Sequence, residues 1–351
     1  MNQKFWENKR VLITGHTGFK GSWLTVWLKK MGVSIVGISK SIPTNPSLFE
    51  LAAVGEGIKS IFGDVRDYNF LKQIIDETKP EIIFHLAAQS LVKQSYLNPI
   101  ETYSTNVMGT VNLLEAIKES NTKVVVNVTS DKCYENNDSL KPFTEDDPMG
   151  GYDPYSSSKG CSELITQSFR DSFFYNNLER YISISTVRAG NVIGGGDWAE
   201  DRLIPDIFRG IKNKELIKIR NPDAIRPWQH VLEPLNGYII LAEKMWYKKQ
   251  EFDGAWNFGP NEDDRKPVSW IIEKFSELCN SKIYWSIEKE KLHESKILTL
   301  NCDKAKSKLD WYPKLKIENA IELTINWYEG YFQNKNMKEI TESQINEFEK
   351  M

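Results

Sequence analysis

Short β-branched runs alternate with longer stretches of helical spacing along the first two-thirds of the chain. The runs are RVLITG, SIVGIS, EIIFHLA, KVVVNVTS and YISISTVR. Between them the spacing predicts helices from Gly18 to Met31, near Tyr68 to Glu77, near Ile100 to Glu119 and from Tyr155 to Tyr175. Strands separated by helices imply βαβ units, so the predicted fold is α/β, a doubly wound parallel sheet with helices on both faces.

After Arg188 the pattern changes to Gly-rich and Pro-rich segments (GNVIGGGDWAEDRLIP, NPDAIRPWQHVLEP), broken by a helical stretch from Leu235 to Lys248 and a short run AWNFGP. This predicts a smaller, loop-rich C-terminal region inserted between late elements of the sheet. The expected division is 1–190 for the sheet domain, with returns near 232–260 and 302–330. The loop-rich region then covers 191–231 and 261–301, and 332–351 is a polar, peripheral tail.

Composition narrows the partners. With 351 residues and a formal net charge of -3 the chain lacks the basic excess of a nucleic-acid binder. The N-terminus MNQKFWENKR is charged, and no stretch approaches the ~20 apolar residues of a membrane span, which predicts a cytosolic protein without membrane contact. Cys133, Cys161, Cys279 and Cys302 form no C-x-x-C pair, and His16, His85, His230 and His293 show no metal-ligand spacing. Reduced thiols and no metal are expected.

Gly15, Gly18 and Gly21 fall between the first strand and the first helix. Glycine there permits a tight turn and lets backbone N–H groups approach a pyrophosphate at the positive end of the helix. The sheet domain is therefore read as Rossmann-like and dinucleotide-binding. His16, Thr17, Phe19 and Lys20 share the loop, and a cation in a first helical turn is disfavoured by the dipole unless it faces phosphate. An acid at the end of the second strand would take a ribose 2'-hydroxyl, but Ser39 and Lys40 stand there, leaving NAD and NADP both open. Asp64 and Val65 could reach an adenine, and an aspartate that only forms a turn is equally consistent.

Tyr155 and Lys159 lie four apart at the start of a helical pattern and so share a face. An ammonium near a phenol favours phenolate, which could take a proton from a sugar hydroxyl while hydride leaves the same carbon. Thr129 and Ser130 close a strand upstream, and the opposite charges Asp131 and Lys132 follow at once.

Through the glycine triplet, HLAAQS, Asn106, Ser130 and the Tyr155/Lys159 pair, the chain from Lys9 to about Tyr331 resembles the extended short-chain dehydrogenase/reductase family. The strings GHTGFKGSWL, TSDKCYE, RAGNVIGGGDWAEDRLIPD and RPWQHVLEPL are most similar to its nucleotide-sugar 4,6-dehydratase branch, in particular the members acting on CDP-glucose. The resemblance implies NAD as cofactor, held by residues 15–21, Asp64, Val65, Leu86, Ala87, Ala88, Gln89, Asn106, Thr129, Tyr155 and Lys159. It implies oxidation at C4 of the hexose, loss of water across C5 and C6, and hydride return to C6, giving a deoxysugar for surface polysaccharide. Ser130 would bond the C4 oxygen, Asp131 would be the acid at O6 and residue 132 the base at C5.

That third position is a glutamate in the dTDP-glucose branch, whereas here it is Lys132. A lysine acts as a base only when neutral, so its reference pKa of ~10.4 must fall; alternatively Lys132 supports a C5 carbanion electrostatically. A diphosphate calls for arginines, since a guanidinium fork matches phosphate oxygens; the resemblance implies Asn191, Arg202 and Arg226 on the nucleotide sugar, Lys93 and Leu203 are expected there too, and Arg220 is either a further contact or simply exposed. Trp228 suits either a stacking or a core role. In relatives the helices near 100–119 and 155–175 meet their copies across a dimer axis, which implies a homodimer or dimer of dimers; the same apolar stripes would also serve to cover the sheet.

Competing readings are a nucleotide-sugar 4-epimerase, a dehydratase for another nucleotide hexose, and a non-catalytic NAD(P)-binding regulator. Asp131–Lys132 argues against the epimerase, which needs no acid and base for elimination, and the retained Tyr155, Lys159 and Ser130 argue against the regulator.

Overall fold

The computed structural model describes residues 2–136, 138, 140–175, 180–288 and 295–351; His293 lies outside them. Strands β1 (Arg10–Thr14), β2 (Ser34–Ser39), β3 (Lys59–Phe62), β4 (Ile82–His85), β5 (Val124–Val128), β6 (Ser183–Arg188) and β7 (Gly254–Asn257) form one sheet. Its order is β7-β6-β5-β4-β1-β2-β3, and every pairing is parallel. Alternate residues of each strand feed two separate cores. Val11, Ile13, Phe84 and Val126 pack on one face, and Leu12, Ile83, Val125 and Ile184 on the other. Burial on both faces is why these strands read as continuous apolar runs rather than as alternation.

The doubly wound α/β sheet agrees with the sequence reading, and the departures have physical causes. Strand β3 was not anticipated: it is short, at the sheet edge, and half-exposed, so KSIF carries no apolar run. The helix expected near Ile100 to Glu119 is three pieces, Pro99–Tyr103, a π-helical turn Ser104–Met108 and Gly109–Ile117. AWNFGP supplies β7, the outer strand beside β6.

The loop-rich segments hold short strand pairs, among them Ile217–Ile219 beside Trp285–Ile287 and Ile225–Pro227 beside Arg265–Pro267. The helices that matter for the site are α1 (Phe19–Lys30), α2 (Pro154–Phe169) and α3 (Leu203–Asn213). Further on, α4 (Ile317–Phe332) and α5 (Met337–Lys350) pack together.

The tail expected at the periphery is instead docked. Met337, Thr341, Ile345 and Phe348 fall on one face of α5 and are buried, with Phe348 against Trp27 at 5.6 Å between ring centroids. The indole N–H of Trp27 donates to Glu349 Oε1 at 2.7 Å, and that of Trp327 to Thr341 Oγ1 at 3.0 Å. Replacing Phe348 with alanine should therefore cost about 3–5 kcal/mol in denaturant unfolding, as for a fully buried aromatic. A peripheral helix would give a change near zero.

Candidate active site

Strand order reverses at β1, whose neighbours are β2 and β4, and the cleft opens at the carboxyl ends of these strands, where such sheets bind ligands. It measures about 1290 Å³, more than one small ligand needs, and runs from Asp64 and Val65 past the glycine turn to Arg220 and Trp228. Gly15 has φ of +79°, and a Cβ there would come within 2.8 Å of the Ala87 nitrogen; a Cβ on Gly21 would collide with the Gly15 carbonyl. Only glycine fits this turn. Thr17 and Gly18 just ahead of α1, and Phe19 and Lys20 in its first turn, face the cleft, so the cradle suits the pyrophosphate of a dinucleotide.

At the end of β5 the chain turns sharply. Ser130 caps a short 3₁₀ turn by accepting the Lys132 N–H at 3.2 Å and donates to Asp131 Oδ1 at 3.1 Å. Asp131 is buried, and its Oδ2 has no hydrogen-bond partner among the described residues. Burial raises its pKa above the usual carboxylate range, opposed by the charges of Lys132, Arg226 and Lys20 and by the Ser130 bond. Gly190 makes room for this carboxylate, because a Cβ there would overlap it. The signal was present in RAGN, but only the tertiary contact gives it meaning.

Tyr155 stands in the first turn of α2, after Asp153, whose side chain caps the helix by accepting the Ser156 N–H. The phenol is pushed up to about 12 by burial; the Ser130 hydroxyl and the charge of Arg202 pull it back. Lys159, the expected cation, lines the same cleft as the phenol; its Nζ donates to the Val128 carbonyl at 3.1 Å, and burial lowers its pKa to about 8. The charge of Arg202 also bears on the phenol, and its guanidinium pairs with Asp197 at 2.9 Å and donates to Ser90 Oγ at 3.0 Å. Lys20 bears on the same end of the cleft: burial lowers it to about 8, and Asp131, Arg202 and Lys159 all act on its charge.

The other expected residues divide between wall and support. Leu86, Ala87, Ala88, Gln89, Thr129 and Lys132 line the cleft, as do Lys93, Asn191, Leu203 and Arg226. His16 does not face it. Its ring packs where Gly37 has no side chain, bonded to Ser39 Oγ at 3.0 Å and Ser60 Oγ at 2.7 Å. Asn106 is also behind the wall, its amide spent on the backbone of Gln89 and on Ser158 Oγ.

Asp64 chelates Arg66, with Nη2 to Oδ2 at 2.6 Å, and accepts the Arg66 N–H at 2.9 Å, which is the turn-forming alternative. Arg226 donates to the carbonyls of Ser295 at 2.6 Å and Ile225 at 3.1 Å, with its charge bearing on Asp131 rather than standing clear in the outer cleft. Trp228 is buried, and its N–H is tied to the Lys266 carbonyl at 2.9 Å. Lys93 pairs with Asp201 at 3.3 Å, and where an acid was expected after β2, Lys40 pairs with Glu101 at 3.0 Å.

A glycine cradle at the switch point, opening onto Ser130, Tyr155 and Lys159, is the arrangement of a short-chain dehydrogenase/reductase. Within that class the chain belongs to the GDP-mannose 4,6 dehydratase family, whose model matches residues 12–324. It is 48% identical to a CDP-glucose 4,6-dehydratase of Salmonella typhimurium, over 99% of this chain and 98% of that one. It is 25% identical to a UDP-glucose 4-epimerase of Halalkalibacterium halodurans, over 92% of this chain and 96% of the other. The crystal structure of dTDP-glucose 4,6-dehydratase from Bacillus anthracis in complex with NAD superposes with a TM-score of 0.76 at 23% identity, covering 92% of this chain and 96% of that one.

Proposed function

We propose that this chain is a CDP-glucose 4,6-dehydratase that uses NAD and yields CDP-4-keto-6-deoxyglucose. The observation that carries this reading is the buried Asp131 carboxyl, with a free oxygen, beside Lys132 on the same wall as Ser130 and Tyr155. Oxidation alone needs only the latter pair; an acid and a base beside it suit elimination. The choice of CDP-glucose is supported by the Salmonella relative.

The residues that would hold NAD are Gly15, Thr17, Gly18, Phe19, Lys20 and Gly21 at the pyrophosphate, with Asp64, Val65 and residues 86–89 alongside. When bound, NAD supplies the hydride acceptor at C4 and the donor at C6. Tyr155 takes the proton of the C4 hydroxyl, whose oxygen Ser130 bonds. The C4 ketone acidifies the C5 proton, which Lys132 removes, and Asp131 gives a proton to O6, so that it departs as water. A carboxyl whose pKa is raised by burial is suited to that donation. Asn191, Arg202, Leu203, Arg220 and Arg226 are assigned to the nucleotide diphosphate sugar, with Lys93 at the mouth.

Lys132→Met should leave C4 oxidation in a single turnover and abolish exchange of the C5 proton with solvent deuterium, measured by mass spectrometry. Full exchange would remove Lys132 from the base role. Gly190→Ala should lower turnover about 10²-fold by displacing Asp131, as expected for a misplacement near 1 Å, with the nucleotide-sugar KM little changed. Product mass after incubation with CDP-, dTDP-, UDP- and GDP-hexoses tests the substrate assignment. Loss of one water from CDP-glucose is expected, and loss from another donor instead would overturn it.

A cytosolic homodimer serving deoxysugar synthesis completes the proposal. The dimer is supported by apolar residues left exposed on adjoining helices, Ile100 at 85%, Met108 at 49% and Leu164 at 56%. Light scattering tests the dimer.

A further inference from the structure

The loop that carries Ser130, Asp131 and Lys132 is gripped at both ends by one buried ion pair that the sequence reading did not single out. Glu163 lies one turn beyond Lys159 on α2, and Arg188 ends β6; their side chains are 5% and 4% exposed. Arg188 Nε donates to Glu163 Oε1 and Nη2 to Oε2, each at 2.9 Å, a planar fork. The carboxylate also accepts from the hydroxyls of Thr129 and Thr186. Arg188 Nη1 donates to Tyr134 Oη at 2.7 Å and to the Glu145 carbonyl at 3.0 Å. Tyr134 in turn donates to Asn257 Oδ1 at 2.7 Å and stacks on Phe143 with centroids 4.7 Å apart.

Thr129 immediately precedes Ser130, and Tyr134 immediately follows Cys133. One end of the loop is therefore fastened to Glu163 and the other to Arg188. A buried ion pair is seldom a net source of stability, because desolvation offsets the attraction, so its consequence here is geometric. Its anchor on α2 is the helix that also carries Tyr155 and Lys159.

We infer that the Glu163–Arg188 pair is a positioning device that, through Tyr134, holds Asp131 and Lys132 in register with Tyr155 for the elimination step. The inference rests on the dehydratase reading. Removing either charge strands the other in the core and destabilises the whole fold, so the test uses Tyr134→Phe. Phenylalanine keeps the stack on Phe143 and the Arg188 guanidinium over the ring, leaves Thr129 fastened to Glu163, and removes only the hydroxyl's bonds to Arg188 and Asn257 at the other end of the loop.

In single turnover with NAD and CDP-glucose, Tyr134→Phe should oxidise C4 within about twofold of the unchanged enzyme while water loss slows at least tenfold. Equal slowing of the two steps, as general loosening would give, overturns the inference, and so does no slowing of either. If the unchanged enzyme dehydrates no nucleotide hexose, the functional reading is what fails. Hydrogen exchange of the 130–134 amides then decides alone: at least tenfold faster exchange in Tyr134→Phe supports the clamp, and unchanged exchange overturns it.

Discussion

Tyr155→Phe should lower the rate of C4 oxidation by about 10²–10⁴-fold, the range over which a positioned proton acceptor contributes. The ring stays, so the first turn of α2 and the packing around it persist; only the group that takes the hydroxyl proton is lost. The phenol is held near 12 by burial, eased by Ser130 and Arg202. Only phenolate accepts the proton, so the oxidation step in the unchanged enzyme should speed up as pH rises through the neutral range. Stopped-flow absorbance of the reduced nicotinamide measures it, with the variant's unchanged melting temperature as control. Oxidation at the unchanged enzyme's rate would remove Tyr155 from the chemistry.

Asp131→Asn should have an effect of similar size on a different step. Asparagine fits the space beside Gly190 and can still accept from Ser130, but it has no acidic proton to give. C4 oxidation and C5 exchange should persist while water loss falls about 10²–10⁴-fold, so that a 4-keto sugar still bearing its 6-hydroxyl accumulates. The pH dependence has the opposite sign from that of Tyr155. An acid must be protonated, so the elimination step should slow as pH rises through the raised pKa of Asp131. Rapid-quench mass analysis separates the species. Dehydrated product at the normal rate would assign the acid elsewhere.

Both carboxyl and phenol could be found in the sequence because their neighbours are local. A β-branched run ends at Val128, and the Tyr155/Lys159 spacing is that of one helical face. The glycine turn was legible for the same reason. What sequence could not show is which tertiary partner each charge meets. Lys159 donates to the Val128 carbonyl, and the charge of Arg202 at the start of α3 also bears on Tyr155; neither follows from spacing. His16 sits in the cofactor loop, yet its ring points to Gly37 because a missing side chain there leaves a slot. Asn106, expected at the cofactor, lies in a π-helical turn inside the Pro99–Ile117 segment and secures the Gln89 backbone. The polar composition of the tail hides its docking face, although Met337, Thr341, Ile345 and Phe348 follow one side of a helix.

The glycine turn and Tyr155 leave oxidation, epimerisation and dehydration all open, and Asp131 with Lys132 selects the last. Conversion of CDP-glucose in deuterium oxide tests that choice directly. The product should be one water lighter than the substrate, apart from one deuterium carried at C5, since the proton taken there is replaced from solvent. A product of unchanged backbone mass with inverted C4, or one without deuterium at C5, would contradict it.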